Sequence, residues 1–198
     1  MDWLTRPLPD TVEIAGQHVK IRTGWRRAVR SYILQSSNED GLNLTDATAL
    51  LTSWFARDGQ IPQIVKDNPY MALSAAYDWR DSAFGQAMPY GDGSSDNTSK
   101  KTFDWEADSG IVRIDFKHIY GIDTSVYQAH WYEFALLFSG ICAMDTLTSN
   151  AMQARRPLPS DAADYERKQH RALERAWSLP LTEYERVKMH NARILEEW

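Results

Sequence analysis

The chain has 198 residues, of which 43% are apolar and 25% charged, and its formal net charge is −5. This composition is typical of a folded globular protein and excludes an intrinsically disordered chain. The acidic balance also argues against a nucleic-acid partner, which would need a basic face.

The only cysteine is Cys142, which excludes a disulfide within the chain and a zinc site built from thiolates. Because Cys142 lies in the apolar run FALLFSGICAM, we expect its thiol to be buried and unreactive. That run is about half as long as a membrane span, and the opening segment MDWLTRPLPD lacks the apolar core of a signal peptide. The sequence therefore predicts a soluble cytoplasmic protein with no membrane partner.

The first predicted element is a β-hairpin in the segment TVEIAGQHVKIRT. Val12 and Ile14 alternate with polar residues, and Val19 and Ile21 repeat the pattern. Gly16 lies between the two runs and supplies the positive φ that a tight turn needs. Because a two-stranded hairpin alone is marginally stable, it should pack on a helix.

A first helix is predicted in the segment GWRRAVRSYIL, where Trp25, Val29 and Ile33 recur at helical spacing. Its arginines predict a solvated helix face, with contact to phosphate or to an acidic partner as the alternative. These arginines are Arg22, Arg26, Arg27 and Arg30.

Two further helices follow in the segments LTDATALLTSWFARDG and NPYMALSAAYDWRDSAF. The first should begin with Thr45 or Asp46 as its N-cap and stop at Gly59. In the second, Asn68 is the expected N-cap and Pro69 occupies the first turn, where proline is tolerated.

Residues 85–101, GQAMPYGDGSSDNTSKK, are crowded with Gly, Ser, Asp and Asn and have no apolar periodicity. This pattern predicts a mobile loop between two halves of one fold. We expect residues 1–160 to form a single helical domain that includes the hairpin and this loop. Residues 161–198 are expected to form a C-terminal pair of helices.

The segment IVRIDFKHIYG is ambiguous on periodicity alone. Val112, Ile114 and Phe116 alternate with charged residues as in a strand, whereas Val112, Phe116, Ile119 and Tyr120 form a helical stripe. Periodicity leaves both structures open.

Three acids precede that segment at every second position: Asp104, Glu106 and Asp108. A calcium loop is one interpretation, but Gly110 falls one place late and Asp115 stands where such loops carry a bidentate glutamate. Carboxylates at the start of a helix complement its positive end. We therefore expect these acids to begin a helix and to bind no metal.

From Thr124 onward the chain is apolar nearly all round, which predicts a helix in the centre of the fold. His130 lies inside this segment with Glu133 nearby. As a catalytic pair they lack a nucleophile, so a hydrogen-bonded core histidine is expected. No catalytic residue and no cofactor are predicted.

The C-terminal part carries two further helix signals. Ser160 and Asp161 should cap a helix that runs to about Trp177, and Thr182 with Glu185 forms the capping box of a last helix. A narrow stripe on that helix suits docking on the body of the protein or on a partner helix. We predict partner binding for its four residues, Tyr184, Val187, Leu195 and Trp198.

Several spaced elements in residues 1–35 and 102–160 resemble the bacteriophage "gene product fifteen" family. They comprise a hairpin with a central glycine, a threonine followed by an aromatic–arginine pair, a Phe-Asp-aromatic motif, a Tyr-Gly-Ile-Asp turn and a His-Trp pair followed by Phe. In this chain those positions are Gly16, Thr23, Trp25, Arg26, Phe103, Asp104, Trp105, Tyr120, Gly121, Ile122, Asp123, His130, Trp131 and Phe134.

The resemblance favours a helix for the ambiguous segment and a mainly α fold with a small N-terminal β-hairpin and a C-terminal helical extension. It implies a non-enzymatic tail-assembly protein, a chaperone for the phage tape-measure protein that acts in the host bacterial cytoplasm. The alternative is a structural component retained in the tail or virion. The implied partners are the tape-measure protein and other tail-assembly proteins, and homo-oligomerisation is left open.

Overall fold

The structure, a computed structural model, describes residues 7–37, 42–84, 101–159 and 161–180. Within these ranges the protein is mainly helical, with eight helices and one two-stranded antiparallel hairpin, as the sequence predicts. Of the predicted loop at 85–101, all residues except Lys101 lie outside the described part of the chain.

The hairpin consists of the strands β1 (Thr11–Ile14) and β2 (Gln17–Lys20). The helices are α1 (Trp25–Ser37), α2 (Leu44–Phe55), α3 (Gln63–Asp67), α4 (Pro69–Asp81), α5 (Ser109–Tyr120), α6 (Trp131–Ala143), α7 (Leu147–Arg155) and α8 (Asp164–Ala176).

The hairpin has the predicted turn between its two strands. Val12 pairs with Val19, and the turn residues Ala15 and Gly16 have φ angles of 46° and 77°. Positive φ at both positions is the requirement of the turn that matches the twist of a two-residue hairpin. The hairpin packs on α4, where Trp79 Nε1 donates to the carbonyl of Pro9 at 3.0 Å.

The boundaries of α2 differ from the prediction at both ends. Its N-cap is Asn43, whose side chain accepts from the Asp46 N–H at 2.9 Å, so the choice of Thr45 or Asp46 was wrong. The helix ends at Phe55, and Gly59 lies in the turn that follows, with a φ of 77°. Asn43 is the N-cap because its side chain accepts a hydrogen bond from the N–H three residues later, that of Asp46.

The ambiguous segment is the helix α5, with Val112 and Phe116 buried and Ile114 54% exposed. Gly121 ends it in the left-handed conformation at a φ of 69°. At α4, Asn68 and Pro69 occupy the predicted cap and first-turn positions, although the Asn68 side chain does not cap.

The central helix is α6, which packs against α1, α5 and α7. Trp131, Phe134, Phe138 and Ile141 on this helix are each 1% exposed or less. Phe134 stacks on Trp25 with ring centroids 4.3 Å apart, and this pair joins the first and second halves of the chain in one hydrophobic core.

The central helix begins at Trp131, so the prediction of a helix from Thr124 was wrong. Residues 124–129 form an irregular turn in which Val126 is 74% exposed. The physical reason is Arg26, whose guanidinium donates to the carbonyls of Thr124, Ser125 and Tyr127 at 2.6–2.9 Å. Carbonyls held by an arginine are turned away from the helical hydrogen-bond pattern.

The arginines at the start of α1 do not form the predicted solvated face. Arg26 is bound to the turn before α6, and Arg27 Nε donates to the carbonyl of Ser53 at 3.1 Å. Arg22 and Arg30 remain exposed. Two of the four side chains therefore join elements that are distant in sequence.

The helix α8 starts later than predicted, and Ser160 lies outside the described residues. Its N-cap is Ala163, whose N–H donates to the Glu166 carboxylate at 2.9 Å. Alanine has no side-chain acceptor, so this is one half of a capping box. The helix ends at Ala176, close to the predicted end at Trp177.

None of the helices that the structure describes has both the length and the apolar character needed to cross a membrane.

Candidate functional site

The predicted partner-binding residues Tyr184, Val187, Leu195 and Trp198 lie outside the described residues, as do Thr182 and Glu185. The described part of the chain ends at Pro180, four residues beyond α8. This helix is therefore the last described element before the predicted stripe along the chain, and it is the candidate site.

The α8 helix is anchored to the protein along a polar side. It contains no buried residue, and it packs against α7. His170, Glu174 and the following Trp177 are partly buried. The large apolar residues Tyr165 and Leu173 are 66% and 52% exposed. An amphipathic helix that leaves its large apolar side chains in solvent is an expected feature of a partner-binding element.

The C-terminal end of α8 is held by a buried ion pair. Arg155 Nη1 and Nη2 donate to the two carboxylate oxygens of Asp108 at 2.6 and 2.8 Å, and both side chains are 6% exposed or less. The same guanidinium donates from Nε to the carbonyl of Trp177 at 2.5 Å and from Nη1 to that of Thr102 at 3.0 Å. Arg155 therefore links α7, the segment before α5 and the end of α8.

This ion pair corrects the role predicted for Asp108. The residue occupies the N-cap position of α5, but its side chain makes no cap hydrogen bond. A buried carboxylate interacts more strongly with a buried guanidinium than with the N–H groups of a helix end. Sequence analysis did not single out Arg155, because nothing in its local pattern distinguishes it from an exposed arginine at the end of a helix.

Asp104 has the structural role expected of an acid before a helix. Its Oδ1 accepts from the N–H groups of Glu106 and Ala107 at 2.9 and 2.7 Å, which closes the turn that leads into α5. Burial alone would raise the pKa of Asp104, but hydrogen bonds from Lys101 and from these N–H groups outweigh burial and lower the pKa.

Asp115, at the last position of the hypothetical calcium loop, caps a different helix. Its buried carboxylate accepts from the N–H groups of Leu147 and Thr148 at 3.2 and 2.8 Å. These are the first N–H groups of α7, where a negative charge is favourable. Asp115 therefore orients α7, which in turn carries Arg155.

We expect no saturable calcium binding below millimolar concentration, because Asp104, Asp108 and Asp115 each have another partner. Isothermal titration calorimetry on the wild-type protein measures this directly. Saturable heat that disappears in Asp104→Ala would contradict the prediction and restore the calcium-loop interpretation. Within the described ranges, no group of three His, Cys, Asp or Glu side chains is placed to hold a metal ion.

His130 is the N-cap of α6 and does not lie inside the helix. Its Nδ1 accepts from the Tyr132 N–H at 3.1 Å, and its Nε2 lies 3.2 Å from the carbonyl oxygen of Pro9. A carbonyl only accepts, so Nε2 carries the proton and the ring is neutral. Glu133 instead accepts from the Tyr127 hydroxyl at 2.8 Å. The predicted hydrogen-bonded histidine is confirmed, at a half-buried site.

We expect His130 to make the protein less stable in mild acid. Burial lowers the pKa of His130 from its ordinary 6.5, so the unfolded chain binds a proton here more readily than the folded protein. Its contribution to stability is therefore complete at pH values above the ordinary pKa of 6.5 and decreases as the pH falls below it. Urea unfolding at several pH values measures this slope. His130→Asn keeps an acceptor for Tyr132 and should flatten the slope; an unchanged slope would contradict the prediction.

Arg80 forms a second buried polar cluster, which sequence analysis missed. Only 3% exposed, its guanidinium lies 3.6 Å from the ring centre of Tyr32. It donates to the carboxylate of the neighbouring Asp81 at 2.7 Å and to Ser31 and Gln35 of α1 at 2.9 and 2.6 Å. These contacts join α4 to α1, and they use the charge of Arg80 inside the fold.

Cys142 is buried, as predicted. Burial raises the pKa of its thiol to about 12, with a further contribution from the charge of Asp115. Since the thiolate is the nucleophilic form, the thiol is inert at neutral pH.

Two of the motifs that carry the family resemblance contact each other in the fold. Trp25 stacks on Phe134 and donates from Nε1 to the carbonyl of Tyr127 at 3.1 Å. The carbonyl of Thr23 accepts from the Trp131 N–H at 2.6 Å. These motifs, distant in sequence, therefore meet around the start of α6.

Comparison with known proteins finds no relative: no family model, no curated protein and no solved structure matches the chain significantly.

Proposed function

We propose that the protein is a non-enzymatic bacteriophage tail-assembly protein, a chaperone that holds the tape-measure protein soluble in the host bacterial cytoplasm. The family resemblance suggests this class. The structural observation that carries the proposal is α8, which keeps Tyr165 and Leu173 in solvent while its end is anchored by Arg155.

A tape-measure protein is long and largely helical, and before the tail tube forms around it its apolar stripes are exposed. Exposed apolar patches of this kind aggregate. An amphipathic helix covers such a stripe reversibly by laying its own apolar side against it. The exposed side of α8 provides part of this surface, and the predicted stripe of Tyr184, Val187, Leu195 and Trp198 is proposed to bind the same client.

The roles of the buried charges support a non-enzymatic function. The Arg155–Asp108 pair and the side chains of Arg80 and Asp115 each bind backbone or side-chain groups of another helix or segment. These charges are therefore occupied in packing contacts. A catalytic group needs instead to reach a substrate.

Co-expression with the tape-measure protein of the same genome tests the proposal. We expect the tape-measure protein to become soluble and to co-purify with the wild-type chain. Replacing Tyr165 and Leu173 by serine should lower the recovery of the complex several-fold, and so should serine at all four predicted stripe residues. Circular dichroism checks that each variant is still folded.

A matched control is the pair Tyr70→Ser and Val126→Ser, which removes apolar side chains that are even more exposed, 87% and 74%, from other parts of the surface. This variant should bind as well as wild type. If the wild-type pair neither co-purifies nor gains solubility, the chaperone proposal fails. Mass spectrometry of purified particles then tests the alternative, since a structural component is retained in the virion and a chaperone is depleted.

A further inference from the structure

Three exposed cations, Lys168, Arg171 and Arg175, lie along one side of α8. They are three and four residues apart, so they share a side of the helix. None of them forms an ion pair with a carboxylate of the described residues. Asp164 is the acid on this side, and it lies in the first turn, where a negative charge is favourable. The basic side of α8 is therefore available to a partner.

The basic side borders the exposed apolar face of α8. Tyr165 and Leu173 on this face are 66% and 52% exposed, and Ala172 and Ala176 on the same face are also exposed. In helical projection, the centre of the basic side is about 100° from the centre of the apolar face. Charged residues have this position beside the apolar seam of two packed helices.

The other border of the apolar face has a different chemistry. Glu166 lies there, and its carboxylate accepts from the Ala163 N–H at 2.9 Å and from the Tyr165 hydroxyl at 3.1 Å. Next to it is the side that packs on α7, where His170 and Glu174 are partly buried. A partner laid on the apolar face therefore meets a row of cations along one border and the body of the protein along the other.

We propose that this surface binds an amphipathic client helix whose apolar stripe has carboxylates along one border, three and four residues apart. The inference rests on the proposed function, which makes α8 a client site, and it adds the chemistry of the segment that is recognised. The apolar stripe of such a helix covers Tyr165 and Leu173, and its carboxylates pair with the three cations. Charge pairs beside an apolar seam determine which partner binds and in which orientation.

A second copy of this chain fits the surface less well. If two α8 helices pack antiparallel, each border faces the same border of the other helix, so cations meet cations. If they pack parallel, the basic side faces the border of Glu166, which offers one carboxylate at one end and adjoins α7. Like charges across an interface cost free energy. The charge pattern therefore favours a different chain as the partner.

An anionic membrane is the other partner that a basic amphipathic helix can bind. The polar side of such a helix faces water and headgroups, whereas α8 packs on α7 with His170 and Glu174 partly buried between them. The formal net charge of the whole chain is −5, which opposes adsorption to an anionic surface. A helical client is therefore the favoured occupant.

Binding of designed peptides to the full chain tests the recognised chemistry. Two helical peptides carry the same leucine stripe and differ at three border positions, which are glutamate in one and lysine in the other. In fluorescence anisotropy, the glutamate peptide should bind about tenfold more tightly, because three surface ion pairs replace three repulsions. The triple variant Lys168→Glu, Arg171→Glu, Arg175→Glu should reverse this preference. Binding of neither peptide, equal affinities, or an unreversed preference would overturn the inference.

Co-expression with the tape-measure protein separates this inference from the proposed function. The triple variant should lower client recovery about tenfold. A control with the same change in net charge, Lys20→Glu, Lys66→Glu and Lys117→Glu at exposed sites elsewhere, should match wild type. If the triple variant recovers the client as well as wild type does, the inference is wrong and the proposed function stands. If the glutamate peptide binds but no client is recovered, the proposed function fails and the recognised chemistry stands.

Two further measurements address the other occupants. In sedimentation velocity, we expect no self-association that Tyr165→Ser with Leu173→Ser abolishes. Vesicles of phosphatidylglycerol should not carry the wild-type chain into the pellet. A dimer formed through α8, or vesicle binding that the triple variant abolishes, would assign the surface to another partner and overturn the inference.

Discussion

Trp131→Ala should lower the free energy of unfolding by about 3–5 kcal/mol, as truncation of a fully packed aromatic residue does. The side chain of Trp131 is 0% exposed and lies against Phe84 and Phe134, with ring centroids 5.2 and 5.9 Å away. Its Nε1 also donates to the carbonyl of Arg80 at 2.7 Å. Alanine leaves both a cavity and a buried carbonyl without this donor.

Urea unfolding followed by circular dichroism measures the effect. Trp131→Phe keeps most of the ring but removes the donor, so its loss of stability should be smaller than that of alanine. Tyr165→Ala is the matched control for an exposed aromatic side chain and should change stability by less than about 0.5 kcal/mol. An unchanged unfolding midpoint for Trp131→Ala would mean that α6 is not the centre of the core.

Arg155→Met should also destabilise the protein by about 3–5 kcal/mol, because it leaves the buried carboxylate of Asp108 without its partner. The variant also removes the Nε donor to the carbonyl of Trp177, which holds the end of α8. We therefore expect faster amide hydrogen exchange in α8 than in α6, beyond what the global loss of stability explains.

Lys168→Met is the control, since Lys168 is an exposed cation on α8 itself. It should leave both stability and exchange close to wild type. The double variant Asp108→Leu with Arg155→Met removes the charges together, so it should be less destabilised than the sum of the two single changes. Additive effects would show that the two side chains do not act as a pair.

Signals carried by neighbouring residues determined much of the fold from sequence alone. The hairpin turn at Ala15 and Gly16 and the start of α4 at Asn68 and Pro69 depend on the backbone preferences of adjacent residues. The central position of α6 followed from its almost continuous apolar character. In each case the signal comes from residues that are close together along the chain, so the sequence pattern contains it.

The surface of α8 was only partly predictable. Its helical character follows from the sequence, and so does the presence of apolar and charged sides. Whether another part of the protein covers Tyr165 and Leu173 depends on how α8 meets α7, which helical periodicity does not encode. The predicted stripe at Tyr184, Val187, Leu195 and Trp198 lies beyond the described residues and stays a prediction.

Only the tertiary structure decided where α6 begins and which charges are buried. Arg26 binds the carbonyl of Thr124, 98 residues away along the chain, and this contact prevents a helix from starting there. Asp108 and Arg155 form their ion pair although 47 residues separate them. The physical reason is that a charged side chain enters the interior only where the completed fold supplies its partners. Local sequence shows the charge, whereas the position of its partner is a property of the packed helices.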